Sequence, residues 1–151
     1  MKGKTVKESR AQMTHLVLPI HANMRGTAFG GAILSLADSV AYICAARHAG
    51  PNCVTVGVDR VSFLEPIAVG EVVTLLASVN YVGATSMEVG IRIEAENLKN
   101  GKRRHTTSCY FTLVCLDERS RPKKVPPLVC QTPDDKRRFK EAKKRREGRT
   151  E

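Results

Sequence analysis

The sequence predicts an α+β domain in which an antiparallel sheet wraps around one long central helix, with a basic C-terminal helix added. Three observations carry this reading. Apolar residues recur at helical spacing from Gly30 to about Ala49, and Gly50-Pro51 ends the run. From Val54 to Leu116 the pattern turns to β, in segments joined by short connections that imply antiparallel pairing. The chain then closes on a cation-rich stretch that opens with residues suited to starting a helix. One helix and one hairpin-linked sheet form two layers around a single core.

The elements follow in chain order. An early strand is expected near His15 to Leu18, followed by a loop from Pro19 to Ala28. The helix from Gly30 carries Ile33, Leu34, Ala37, Ala41, Cys44 and Ala45, with Ser35, Asp38 and Ser39 its only polar residues before Arg47. A helix apolar almost all round should be buried by the structure around it. Val54 through Phe63 reads as a strand, broken by Pro66 and Gly70. Glu71 to Val82 is the next, and Gly83-Ala84-Thr85-Ser86 connects it onward. Met87 to Leu98 alternates Val89, Ile91, Ile93 and Ala95 against Glu88, Arg92, Glu94 and Glu96. Asn100-Gly101 is a hairpin signal. Lys102 to Leu116 returns with Cys109, Phe111, Leu113 and Cys115 on one face. At the end, Thr132 suits an N-cap, Pro133 the first turn, Asp134 and Asp135 the positive end of the helix dipole, and Gly148 the stop. Only Phe139 and Ala142 are apolar in this last helix, so it is expected to be solvated or docked on a partner.

The 151 residues suit one domain, with expected boundaries at residues 1–12 for a basic N-terminal segment, 13–128 for the globular domain and 129–151 for the basic helical tail. No apolar run approaches the roughly 18 residues of a membrane span. None follows the basic residues of Met1 to Arg10 either, so no secretory signal is expected. Five cysteines without a CxxC pair point to reduced thiols in a cytoplasmic protein, not to a disulfide framework or a metal site. The net charge of +10 favours anionic partners. Nine basic against five acidic residues from Thr132 onward, and four against one in the first ten, place most of that charge at the two ends. No aromatic-rich or recognition motif accompanies it, so nucleic acid is not the expected partner.

Several stretches carry chemistry when taken in order: Leu18-Pro19-Ile20-His21-Ala22-Asn23, then Gly26-Thr27-Ala28-Phe29-Gly30-Gly31 running into Asp38. Thr55-Val56-Gly57-Val58-Asp59, Phe63-Leu64-Glu65-Pro66 and Val82-Gly83-Ala84-Thr85-Ser86 follow. This order resembles the hotdog-fold acyl-CoA thioesterases, and among them the cytosolic acyl-CoA hydrolase group, over about Met13 to Leu128. The resemblance implies hydrolysis of a fatty acyl-CoA to free acid and coenzyme A, with no metal or cofactor beyond the coenzyme A of the substrate. It implies dimers assembled into a hexamer, a trimer of dimers, with Asn23 of one subunit and Asp38 of its neighbour sharing a site. Asn23, Asp38 and Thr55 match the group's catalytic positions, and Gly83, Thr85 and Ser86 match a turn that contacts coenzyme A phosphate. Two departures stand out. Thr27 occupies a position where other branches carry Asp or Asn, and the turn lacks the basic residue often found after its glycine.

Elementary chemistry supports these assignments. A thioester carbonyl needs donors for its developing oxyanion, and backbone N–H groups at the helix start, at Gly30 and Gly31, would supply them. The attacking water needs a base. Asp38 on an apolar helix is the candidate, with burial expected to raise its pKa. Thr55 would hold the water, and Asn23 the water or the carbonyl. Attack by the Asp38 carboxylate itself, through an anhydride, is the alternative. Lys123 and Lys124, beside Pro122, would pair with the substrate phosphates. His21 and His48 have no nucleophile beside them in the sequence pattern. The rival readings are another hotdog thioester enzyme, a hydratase or dehydratase, and an acyl-CoA-binding sensor without turnover.

Overall fold

The computed structural model describes residues 1–149, so the last two residues of the expected 129–151 tail lie outside the described residues. The chain runs β1 (Lys4–Thr5), α1 (Val6–Ser9), β2 (Ala11–Leu16), a 3-10 turn (Pro19–His21), α2 (Gly30–Ala49), β3 (Cys53–Phe63), β4 (Val72–Val82), β5 (Ser86–Glu96), β6 (Arg103–Cys115), β7 (Leu128–Val129) and α3 (Pro133–Glu147). Five strands form one antiparallel sheet in the order β2-β4-β5-β6-β3. The two short strands β1 and β7 pair in parallel beside it.

Alternation decides which side of the sheet meets α2. Val73, Leu75, Ala77 and Val79 of β4, Val89, Ile91 and Ile93 of β5, and Cys109, Phe111 and Leu113 of β6 are all buried on that side. Ile33, Ala37, Val40, Ala41, Cys44 and Ala45 of α2 meet them. Their spacing of three and four residues keeps them on one stripe of the helix. The opposite stripe, with Ser35, Asp38, Ser39, Tyr42 and Ile43, is exposed in the single chain. Here the structure corrects the expectation of a helix buried all round. A five-stranded sheet curls over one side of a cylinder and leaves the other side open.

The early strand starts and stops sooner than expected. It spans Ala11 to Leu16 and pairs with β4 from Ala77 back to Val72. Pro19 begins the 3-10 turn, and Leu18 N–H donates to His21 Nδ1 at 3.1 Å instead of to a strand. Of the extra residues at its start, Ala11-Gln12-Met13-Thr14, only Met13 is a large apolar side chain, so the stretch gives little β signal. The N-terminal segment is built into the fold as well. Thr5 and Glu8 close a capping box on α1, and Val6 and Ser9 are buried. The connection between β5 and β6 spans Asn97 to Lys102, longer than a two-residue hairpin. Gly101 still takes the left-handed conformation (φ 69°) that the Asn-Gly pair signals, and its N–H donates to Asn97 O at 2.7 Å.

The basic tail departs further from expectation. α3 begins at its Thr132–Asp135 capping box as predicted, but one side of it is docked on the chain's own sheet. It lies across the outer face of the sheet, on the side away from α2. Ala142 is buried, and Phe139 meets the Tyr81 ring with centroids 4.8 Å apart. The strongest tie is ionic. Arg145 Nε and Nη2 donate to the two oxygens of Glu88 at 3.1 and 2.7 Å, and the guanidinium stacks 3.7 Å from the Tyr110 ring centroid. The side chains are 11% and 3% exposed, so the pair is desolvated. Asn80 Nδ2 adds a third donor to Glu88 at 3.1 Å. Removing one member of a buried, hydrogen-bonded pair leaves the other uncompensated. Arg145→Ala is therefore expected to cost about 3–5 kcal/mol in urea denaturation. The double variant Arg145→Ala with Glu88→Ala should cost less than the sum of the two single ones.

Candidate active site

The open stripe of α2 carries the chemistry. Asp38 lies two turns into the helix, and β3 passes beside it. Thr55, the third residue of β3, turns its hydroxyl toward the helix and donates to Asp38 Oδ1 at 2.7 Å. A register shift between Thr55 and Gly57 reverses the alternation along β3 immediately afterwards. Thr55 and Val58 can thus both face the helix side, with Val56 59% exposed. Thr55 is expected to hold the water; in the single chain its hydroxyl is on the carboxylate itself. The expected burial of Asp38 is not supplied by one chain.

The helix start lies at the other end of the same stripe. Phe29 is the N-cap and contributes no side-chain bond, so the first-turn N–H groups lack the usual capping oxygen. A Cβ at Gly30 would meet the Phe63 ring at 3.3 Å, and one at Gly31 the Phe29 ring at 3.3 Å. The glycines let the two aromatic rings close over the helix start. Seven residues separate Gly31 from Asp38, about 10 Å along the axis at 1.5 Å per residue. A base and an oxyanion donor serving one carbonyl must both come within about 3 Å of the reacting atoms. The Gly31 N–H and the Asp38 residue of one chain are thus set well apart along the helix.

Asn23 is also apart from Asp38. Its side-chain oxygen accepts from Arg25 N–H at 2.8 Å and Thr27 N–H at 3.2 Å, and its Nδ2 donates to Thr27 Oγ1 at 2.9 Å. Within one chain Asn23 holds its own loop together and leaves Thr27 engaged with it. The structure does gather the other group of expected residues. Cys115 N–H donates to Thr85 O at 3.0 Å, Lys123 N–H to Cys115 O at 2.9 Å, and Val125 N–H to Ala84 O at 3.0 Å. The turn Gly83–Ser86 and the segment of Lys123 and Lys124 therefore sit side by side. Both lysines are exposed.

The rival nucleophiles and bases are engaged elsewhere. Cys53, two residues from Thr55, is buried beside Cys115, and burial pushes its thiol up to about 12. At neutral pH it is a thiol, not a nucleophilic thiolate. His48 is wholly buried with Nε2 2.8 Å from Pro126 O, and burial holds its imidazole below the ordinary value. His21 Nδ1 accepts from Leu18 N–H. Among the described residues no group of three or more His, Cys, Asp or Glu side chains is placed to hold a metal ion.

The sequence reading did not anticipate the outer-face residues of α3. Arg145 and Arg146 reach the ends of β5 and the Gly83–Ser86 turn through Glu88 and Ser86. The available signal was the spacing of Phe139, Ala142 and Arg146 by three and four residues, a narrow stripe rather than a missing one.

Comparison with known proteins extends the picture. Residues 25–102 match the family model of the thioesterase superfamily. The chain is 43% identical over 146 residues to the protein VdlD of Helicobacter pylori, covering 97% of this chain and 83% of that one. A solved hexameric acyl-CoA thioesterase in its apo form superposes with a TM-score of 0.95 at 39% identity, covering 99% of this chain and 96% of that one. The Staphylococcus aureus acyl-CoA hydrolase, solved with butyryl coenzyme A, coenzyme A and coenzyme A disulfide, gives 0.90 at 35% identity over 97% of this chain and 89% of that one. Variants of the Staphylococcus aureus protein carry alanine in place of an asparagine, an aspartate and a threonine, which follow one another at intervals of 15 and 17 residues. Asn23, Asp38 and Thr55 follow one another at the same intervals.

The Asn23 geometry has a direct test in amide hydrogen exchange. Asn23→Ala removes the acceptor of two loop N–H groups. Protection at Arg25 and Thr27 is expected to fall by about tenfold or more, with β4–β6 amides unchanged.

Proposed function

The chain belongs to the thioesterase superfamily, and from that premise we infer that it hydrolyses acyl-CoA thioesters to the free acid and coenzyme A. The carrying observation is the Thr55 hydroxyl on Asp38 Oδ1 at 2.7 Å, on the open stripe of an otherwise apolar helix. With Oδ1 held by Thr55, the other oxygen is free to take a proton from water. That water adds to the thioester carbonyl, the tetrahedral oxyanion is held by N–H groups, and its collapse expels the coenzyme A thiolate, which takes up the proton. No cofactor enters this sequence. A fatty acyl substrate and a cytosolic setting complete the proposal, the latter supported by five free thiols.

The oxyanion donors come from a second copy of the chain. The axial separation of roughly 10 Å between Gly31 and Asp38 of one chain supports this. So does the exposed apolar surface around them: Val54, Val56 and Val58 on the edge strand β3, Tyr42 and Ile43 on α2, Met24 in the loop. An edge strand with uncovered valines is a template for another strand. A two-fold partner would lay its helix antiparallel and bring its Gly31 and Asn23 toward this Asp38. The proposed assembly is the hexamer seen in the apo acyl-CoA thioesterase.

Thiol release from a panel of acyl-CoA esters, short to long, tests the reading. Wild-type protein is expected to turn over, and Asp38→Ala to lose about 10³-fold or more in kcat with unchanged melting. Thr55→Val should lose less, about tenfold, in kcat. A near-normal rate for Asp38→Ala removes the base assignment. Binding without turnover in the wild type makes the protein an acyl-CoA sensor.

A further inference from the structure

The Gly83-Ala84-Thr85-Ser86 turn contains no cation, yet the structure puts one on it. The Arg146 guanidinium, from the last turn of α3, lies against the Gly83 backbone, where a Cβ would collide with Nη1. Its Nη1 donates to Ser86 Oγ at 2.9 Å, and its carbon sits 5.5 Å from the Tyr81 ring centroid. Two arginines nearby are neutralised: Arg145 of α3 by Glu88, and Arg149, just past the helix, by Asp59 at 2.8 Å. Among the described residues, the side-chain bond of Arg146 is to the Ser86 hydroxyl. A guanidinium has five donors in a fixed fork, and one hydroxyl leaves most of them unused.

We propose that Arg146 binds the phosphate-bearing end of the coenzyme A substrate at the Gly83–Ser86 turn. This rests on the acyl-CoA reading of the site. A coenzyme A ester carries its phosphates at the end of a flexible pantetheine arm, so their anchor must lie away from Asp38. The turn meets that need while staying at the same end of the sheet as the chemistry. Thr55 pairs with Leu113, Leu113 pairs with Met87, and Met87 adjoins Ser86. Two strand spacings of about 4.8 Å, or roughly 10 Å, separate the strands of Thr55 and Ser86. Ser86 offers a hydroxyl and Arg146 a bidentate fork, the pair of donors a phosphate takes well. Gly83 makes the arrangement possible. Any side chain there would displace the guanidinium, the movable partner, rather than the backbone.

The test is calorimetric binding of coenzyme A and of pantetheine, which lacks the phosphates, to the full chain. Arg146→Ala is expected to weaken coenzyme A about tenfold or more and to leave the pantetheine affinity within about twofold. Arg146→Lys should recover part of the loss, and Gly83→Ala should weaken coenzyme A in the same direction with Arg146 still present. The salt dependence of coenzyme A binding should become shallower in Arg146→Ala, which a purely structural role for the residue would not produce. Unchanged coenzyme A affinity in Arg146→Ala overturns the proposal, and so does equal weakening of both ligands. Hydrolysis is read separately on an acyl-N-acetylcysteamine thioester. Coenzyme A binding that depends on Arg146, without hydrolysis of either thioester, overturns the hydrolase reading and leaves the phosphate anchor standing.

Discussion

A sheet can cover only one side of a helix, and the rest of this structure depends on that limit. α2 buries Ile33, Ala37, Val40, Ala41, Cys44 and Ala45 against five strands and has nothing to put over Asp38, Tyr42 and Ile43. The uncovered stripe carries Tyr42 and Ile43 beside Ser35, Asp38 and Ser39, and the edge strand β3 that runs beside it exposes Val54, Val56 and Val58. Burying such a surface at about 25 cal/mol per Å² is a strong drive to associate. The same surface holds the Asp38–Thr55 pair. In the proposed assembly association and catalysis are one requirement: covering the stripe encloses the carboxylate and brings a second helix start to it.

Sequence periodicity made the layers legible, because burial on one side dictates it. The bounds of α2 and the alternation of β4, β5 and β6 follow from side chains that face the core. β2 was harder to see because its inward positions are filled by residues such as Ala11 and Met13, with polar residues between them. The docking of α3 was not legible. Its interface is polar, built from Arg145, Glu88, Asn80 and Tyr110, and a hydrophobic pattern does not register an ion pair that becomes buried only after folding. At the site, Asp38 stood out as an acid on an apolar helix, and Thr55 as a site residue only through the resemblance. Their contact depends on the bulge after Thr55. The separation of Gly31 from Asp38 could have been read from the sequence alone, since the helical rise fixes it.

The buried pair between α3 and the sheet explains a glycine and an asparagine together. Gly90 sits beneath the Asn80 side chain, where a Cβ would displace it. Asn80 in turn donates to Glu88. Without that donor and the Tyr110 ring beneath Arg145, the carboxylate would face the guanidinium alone in a desolvated setting, where an ion pair gives little net stability. The network supplies what the pair needs to hold a mostly charged helix onto a sheet with only Phe139 and Ala142 as apolar contact.

The net charge of +10 then divides by position. Arg145, Arg149 and Arg137 meet carboxylates. Arg138 and Arg146 meet the hydroxyls of Ser78 and Ser86 instead. A cation bonded to a hydroxyl keeps its charge available to an incoming anion, and one bonded to a carboxylate does not. The tail is thus no uniform basic coat. Glu88 fixes α3 in place through Arg145, and the next residue, Arg146, is thereby set on the Gly83–Ser86 turn against the Ser86 hydroxyl. A helix whose own sequence has almost no reason to dock is held by one buried carboxylate, and that carboxylate decides where the Arg146 guanidinium stands.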